Sequence, residues 1–404
     1  MVARRTAVAV VGAGPAGLTV ANLLRRAGIG CVLLEAQSRA FIEQRPRAGF
    51  IEEWAVRGLE ERGLGEQLVA KAPRHEKFEF RFAGQRHVFR YGDITGQRHF
   101  VYPQQLLVTD LVAQYTGAGG DAVFEVAGVE LHDLTSDSPA VTFRAGGGEH
   151  RIDCDFVAGC DGARGVSQGY LPPESTVKAH HDYGIGWLAL LAEAPPSADG
   201  VLFGIHPRGF AAHMARTPEV TRFYLQTAPG ETEADWPDER VWQELHARLT
   251  VPGGAIIEGR LFEKRILDMH NYVVEPMSHG RLHLAGESAH LVAPIAAKGM
   301  NLALHDAFLL TEAFEAYYAG DPAPLAGYSA ACLPLVWQYQ EFSLWLSDIF
   351  HHTAAAGDNP FAARIAEARM RRLLGSPTAA AAFAELYIGK NADVQEDTAD
   401  QHGK

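Results

Sequence analysis

The chain has 404 residues, 47% hydrophobic and 21% charged, with 41 glycines and 21 prolines in no fixed period. That balance suits a globular protein of about two to three domains and excludes a disordered, collagen-like or coiled-coil chain. Lys and Arg total 36 against 49 Asp and Glu, a formal charge of −13 that argues against non-specific nucleic-acid binding, and no stretch offers the roughly 18 uninterrupted apolar residues of a membrane helix.

Residues 7–11 (AVAVV) are wholly apolar and end in glycine, the pattern of a parallel strand buried on both faces. Arg4 and Arg5 ahead of this run imitate a targeting signal, but Gly12, Gly14, Pro15 and Gly17 break it at once, so the segment is read as fold. Helical spacing over 18–27 stops at Gly28, and Cys31–Leu34 is a second apolar strand ended by Glu35. Strand, glycine turn, helix, strand and acid within about 30 residues make the βαβ unit of a dinucleotide fold.

Further along, residues 78–89 alternate around Ala-Gly-Gln and predict an antiparallel hairpin. Residues 117–120 read as a loop, 122–128 and 140–151 as strands, and 156–159 as a buried strand ending at Asp161-Gly162. Strands follow at 187–192, 200–204, 210–215 and 221–226, then a helix at 238–249 and a strand at 281–286. Residues 298–319 predict a long helix, 333–355 an aromatic-rich one, and from 391 onward the chain is polar and frayed. The aromatic-rich helix either covers the core or, over 333–350, offers a homodimer interface. Cys31, Cys154, Cys160 and Cys332 form no CxxC pair; Cys154 and Cys160 read as small buried hydrophobes in a reducing, cytoplasmic compartment.

Three constellations carry chemistry. In the first, Gly12 permits the tight turn, Gly14 lets a pyrophosphate approach the backbone, Gly17 lets helix and strand pack closely, and Glu35, 23 residues after Gly12, suits ribose hydroxyls. There is one such fingerprint, which favours a resident FAD over a simple NAD dehydrogenase. The second is the strand leading to Asp161-Gly162. In the third, 281–301 (RLHLAGESAHLVAPIAAKGMN), a strand ends at Gly286-Glu287, a His-bearing loop follows, and Pro294 precedes Gly299-Met300-Asn301, which opens a helix. Such a helix N-terminus suits an anionic ring edge.

With VAVVGAGPAGL near the start, RPRAGFIE at 45–52, FVAGCDGARG at 156–165, HPRGF at 206–210, VVEPMSHGRLHLAG at 273–286 and AHLVAP…AKGMNLA through 303, the chain resembles the flavin-dependent aromatic hydroxylases, typified by 4-hydroxybenzoate 3-monooxygenase. The likeness runs from residue 7 to about 389. It implies an α/β architecture: a discontinuous Rossmann-like FAD-binding domain (1–74, 100–179, 270–320), an antiparallel-sheet substrate domain (75–99, 180–269), a C-terminal helical region (321–396) and a tail (397–404). It further implies FAD reduced by NAD(P)H, O2 as oxidant, and hydroxylation of a small aromatic substrate through a C4a-hydroperoxyflavin, with no metal. A flavin oxidase or dehydrogenase on this fold, or a flavin-binding regulatory protein, are the competing readings.

By the same resemblance, Gly12, Gly14, Gly17, Glu35, Arg45, Arg47, Gln104, Asp161, Glu287, Gly299, Met300 and Asn301 contact FAD, with Glu287 where the family usually has Asp. Arg216, with Arg222 and Tyr224, faces a substrate carboxylate, and Pro294 and Ile295 lie beside the flavin. Phe203 stands where the family has a phenol-binding tyrosine, while Tyr387 and His75 keep the outer positions of a proton relay. Met214 replaces a serine, Ala212 a larger aliphatic residue and Ile295 a threonine. The pocket is therefore expected to take a larger or less polar arene than 4-hydroxybenzoate: an indole-type ring, an arylamine or a polycyclic aromatic acid. Arg164 and His270 stand where His and Arg serve NADPH, and Ala36 replaces an arginine, which implies that NADH is accepted.

Overall fold

The protein is described by a computed structural model covering residues 2–47, 49–351 and 360–390. Its apolar strands gather into one six-stranded sheet in the order Ser278–His279, Leu282–Leu284, Phe156–Gly159, Val8–Val11, Cys31–Leu34 and Asp121–Val123. All neighbours are parallel except the first pair. Strands this far apart in sequence share a sheet because each is buried on both faces: Val8, Ala9, Val10, Val157 and Leu34 are inaccessible to solvent. The helices Pro15–Arg26, Gln104–Gly117 and Gly299–Tyr318 complete the layer, burying Leu18, Leu107, Leu304 and Leu310 against it. This is the Rossmann-like α/β architecture the sequence predicts. A four-stranded sheet of Val2–Arg5, Gly148–Asp153, Ala140–Ala145 and Ala127–His132 adjoins it in sequence.

Here two expectations fail. Residues 140–151 are not one strand but a hairpin of Ala140–Ala145 and Gly148–Asp153, turned by Gly146 and Gly147 at positive φ. Residues 122–128 do not form a single strand either: Asp121–Val123 closes the parallel sheet and Ala127–His132 belongs to the other. The break is physical, because Glu125 turns with φ +59° while its amide and that of Val126 donate to the carbonyls of Gln37 and Glu35.

An eight-stranded sheet carries the other half of the molecule, in the order His290–Leu291, Arg260–Glu275, Val177–Glu193, Val220–Thr227, Gly209–Thr217, Val201–His206, Phe78–Phe82 and Gln85–Phe89. Alternation sorts its side chains. Leu188, Leu190, Leu202, Ala211, Phe223 and Leu225 pack on the helix Asp238–Leu249, while Trp187, Ala189, Val201, Phe210, Ala212 and Tyr224 face the C-terminal helices. Arg260–Glu275 went unforeseen because RLFEKRIL carries no apolar run and stays half-exposed. Helix Tyr328–Phe350 turns Leu335, Val336, Tyr339, Phe342, Leu346 and Ile349 inward, leaving Trp337 and Leu344 exposed. Residues 352–355 of the predicted helix, and the 391–404 end, lie outside the described residues. No helix among the described residues is long and apolar enough to cross a membrane. Cys154 and Cys160 are buried free thiols.

Candidate active site

The first constellation is assembled as a cradle. Gly12 has φ +105°, and a side chain there would strike the Cys160 carbonyl; one at Gly17 would strike the Gly12 carbonyl. Gly14 is different: a methyl group there would meet no protein atom within 4 Å. Protein packing therefore demands the outer two glycines, while the middle one keeps space open at the N-terminus of Pro15–Arg26. Glu35 sits across this turn and accepts from the amides of Ala13 (2.7 Å) and Gln37 (2.8 Å), which fix its carboxylate and leave lone pairs for a ribose.

Charge in the cradle opposes that of the whole chain. Burial lowers the Arg45 pKa, and the nearby charges of Arg47, Arg265 and Arg164 lower it further. Like-charged guanidiniums crowd in this way where an anion is to be held. Arg47 pairs with Glu287 at 3.2 Å, and its amide bonds Gln105, not Gln104, at 3.4 Å. Gln104 instead begins its helix. Asp161 accepts from Val166 and Ser167 through Oδ2, while its buried Oδ1 has no partner. The residues therefore fit a dinucleotide: an open glycine, clustered cations and an unsatisfied carboxylate oxygen converge on one place.

The turn at 294–301 is anchored by a device the sequence did not show. Pro294–Ala296 leads into Ala297, which adopts φ +56°, then into Lys298 and the helix Gly299–Tyr318. Lys298 is fully buried and donates to Glu52 and to the Tyr387 carbonyl; Tyr339 also donates to Glu52. Burial lowers the Lys298 pKa, and Glu52 opposes that shift. Asn301 gives its side chain to this clamp: Oδ1 accepts from the Glu52 amide at 3.0 Å and Nδ2 donates to the Phe50 and Ala297 carbonyls. The Asn301 side chain is thus committed to protein, and its main chain, with those of Gly299 and Met300, stands at the helix start. Asp306, also fully buried, accepts from the Gly286 amide at 2.8 Å and pairs with His290, which positions the Gly286–Ser288 turn that carries Glu287. With His305 and Cys332 it forms a buried cluster of metal-ligand types whose donor atoms lie within 4.8 Å of one another.

An apolar cavity, partly open to solvent, meets this turn. Pro294, Ile295 and Ala297 form one wall, and Phe203, Ala212 and Tyr224 form the floor, aligned by the register Phe203↔Ala212↔Tyr224. Met214, Val201, Trp187, Phe50 and Tyr387 close it. Beside the floor, on the same face of its strand as Tyr224, lies Arg222, opposite Met214 and 6% exposed. Its Nη1 reaches the Tyr224 hydroxyl at 3.4 Å and its Nη2 lies 3.7 Å from Glu263, yet Nε and Nη2 have no hydrogen bond. Arg216 donates to the Arg47 carbonyl at 3.1 Å, and burial beside Arg222 pushes its pKa down to about 10.

The expected relay is not continuous. The Tyr387 hydroxyl has no hydrogen-bond partner among the described residues, and His75 does not line the cavity. Phe50 packs against both rings, with centroids 6.3 Å from each, and the hydrogen bonds that run between the two residues, from the Tyr387 main chain through His99 and Tyr91 to the His75 carbonyl, leave out the Tyr387 hydroxyl. Of the residues placed for a nicotinamide, Arg164 adds charge near Arg45, whereas His270 stacks on His180 and lies 3.2 Å from Asp268.

Comparison with known proteins decides the family. The FAD binding domain model matches residues 5–343. The chain is 35% identical over 388 residues, 95% of each protein, to p-hydroxybenzoate hydroxylase of Acinetobacter baylyi. It belongs to the flavin-dependent aromatic hydroxylases. FAD is accordingly its cofactor. A 3-(3-hydroxy-phenyl)propionate/3-hydroxycinnamic acid hydroxylase of Mycolicibacterium gilvum is 24% identical over 74% of this chain, which spans 52% of that relative's length. In fold, p-nitrophenol 4-monooxygenase of Pseudomonas putida superposes with TM-score 0.82 over 96% of this chain and all of that one, at 19% identity.

Proposed function

We propose that this enzyme uses NAD(P)H and O2 to hydroxylate an aromatic ring that carries an anionic group and is otherwise less polar, or larger, than 4-hydroxybenzoate. The observation that carries this reading is Arg222: a buried guanidinium beside an apolar, aromatic-lined cavity, whose Nε and Nη2 have no hydrogen bond and whose ion pair with Glu263 is long at 3.7 Å. Buried donors left unpaired cost about 1–3 kcal/mol each, so a carboxylate brought to them gains that much and is oriented as well. Arg216 adds charge from the adjacent strand.

Bound FAD supplies the electrophilic oxygen. Residues of the chain do the rest. Gly14 and the arginines seat the dinucleotide, the Lys298–Glu52 pair fixes the Pro294–Ala296 turn, and Phe203, Ile295 and Trp187 exclude water from the arene. A second reading, 4-hydroxybenzoate itself, draws on the 35% identity to p-hydroxybenzoate hydroxylase. Phe203 weighs against it, since no hydroxyl stands there to meet the phenol. A panel of aromatic acids tested for stimulated NAD(P)H oxidation, with product masses, examines the proposal. One added oxygen on an arene acid supports it; turnover yielding only hydrogen peroxide with every arene refutes it.

A further inference from the structure

Resting on that hydroxylase reading, we propose that the substrate class is an aminoarene carboxylate, whose ring is activated by a neutral amino group and not by a phenol that must lose its proton. The argument starts from which groups can accept a proton in the cavity. Among its lining residues only His213, Tyr224 and Tyr387 titrate. His213 points to the other face of the sheet, where it packs on Phe223 and its Nε2 accepts from the Ser197 amide; burial pushes its pKa down to about 4. Tyr224 is held by Arg222, and burial raises the Tyr387 pKa far above neutrality, with the Glu52 charge adding to the shift. Tyr387 is therefore no base near neutral pH.

Bases beyond the wall are cut off. His99 lies flat on Phe50 with ring centroids 4.3 Å apart, and its Nδ1 meets the Tyr91 hydroxyl, which donates to the His75 carbonyl. Burial lowers the pKa of both His99 and His75. The buried Lys298 and Glu52 are spent on each other, and Arg216 and Arg222 are cations. A phenol in this cavity therefore keeps its proton and remains a poor nucleophile, whereas an amine donates its nitrogen lone pair to the ring without losing one. The Tyr387 hydroxyl, without a hydrogen-bond partner among the described residues, supplies the hydrogen bond that such a group needs. The reaction balances as for any arene of the class: a ring C–H becomes C–OH with one atom of O2, the other leaves as water, and two electrons come from NAD(P)H.

The test compares 4-aminobenzoate with 4-hydroxybenzoate on the FAD-loaded enzyme, reading kcat/KM and the product mass from about pH 6 to about pH 9. The amino acid should be favoured at least about tenfold at neutral pH with a flat profile, while any turnover of the phenol should climb with pH as it ionises free in solution. Phe203→Tyr should narrow the preference by raising phenol turnover. Equal or better hydroxylation of the phenol with a flat profile overturns the proposal, as does oxygen insertion only into acids lacking an amino group; both leave the hydroxylase reading intact. If no arene acid gains oxygen, that reading falls and the proposal falls with it.

Discussion

The dinucleotide cradle and the arene cavity are built by opposite means. In the cradle, main chain does the work: Gly12 and Gly17 admit close backbone contacts, Gly14 leaves a space, and the Ala13 and Gln37 amides fix Glu35. The cavity is instead a convergence of side chains from separate strands, with Phe203, Ala212 and Tyr224 brought into line by sheet register alone. A backbone site tolerates little change, because its shape is its function. A side-chain site can be refitted for another ligand while the sheet beneath it stays the same. The Lys298–Glu52 clamp holds the two together through the Pro294–Ala296 turn.

Substitutions in the cradle should give the largest effects and should separate packing from binding. Gly17→Ala forces a methyl into the Gly12 carbonyl, so folding itself should fail, read as loss of soluble protein or a fall in stability of more than about 3 kcal/mol. Gly14→Ala meets no protein atom, so its apoprotein should melt within a few degrees of wild type while FAD affinity drops about tenfold or more. Equal affinity for FAD in both proteins would break the distinction.

Next in size is the clamp. Lys298→Met leaves Glu52 buried without its counter-charge and should cost about 3–5 kcal/mol in denaturant unfolding, and adding Glu52→Gln should recover much of it. Absence of recovery in the double variant would show that the pair does not act as a unit.

In the cavity, Arg222→Met should lower kcat/KM for an arene carboxylate by about 10- to 100-fold and leave that for its uncharged amide nearly unchanged. A uniform loss for both ligands would place Arg222 in the scaffold.

The smallest effect concerns a ring in neither region. His283 is buried among Phe156, Phe314 and Tyr328 with both nitrogens unpartnered, and burial, with Arg281 adding to it, pushes its pKa from 6.5 down to about 4. Below about pH 6.5 the unfolded chain takes up a proton here that the folded chain refuses. Stability should thus fall as pH drops from about 6.5 through about 4, by up to about 3 kcal/mol from this residue. His283→Phe should flatten that part of the profile.

The sequence exposed the cradle because its signals are local: an apolar strand, three glycines and Glu35 fall within one βαβ unit. Phe78–Phe82 with Gln85–Phe89 and helix Asp238–Leu249 were legible for the same reason. Arg260–Glu275 was not, since its charged, half-exposed pattern lacks an apolar run. Nor was the Glu52–Lys298 pair visible, because 246 positions separate its members and no local pattern links them. Phe50 was quoted within a motif, but its place against Tyr387 and His75 emerges only when the strand Phe50–Glu52 pairs with His99–Val101. Likewise, the orphaned nitrogens of Arg222 are a property of packing, not of spacing.

The central claim is that the cradle and the cavity cooperate to insert oxygen into an arene. Turnover of the FAD-loaded enzyme with NAD(P)H, isotopically heavy O2 and an arene acid tests it most directly. One heavy oxygen atom should appear in the aromatic product for each nicotinamide oxidised; delivery of all the heavy oxygen to hydrogen peroxide, with the arene unchanged, would contradict the account.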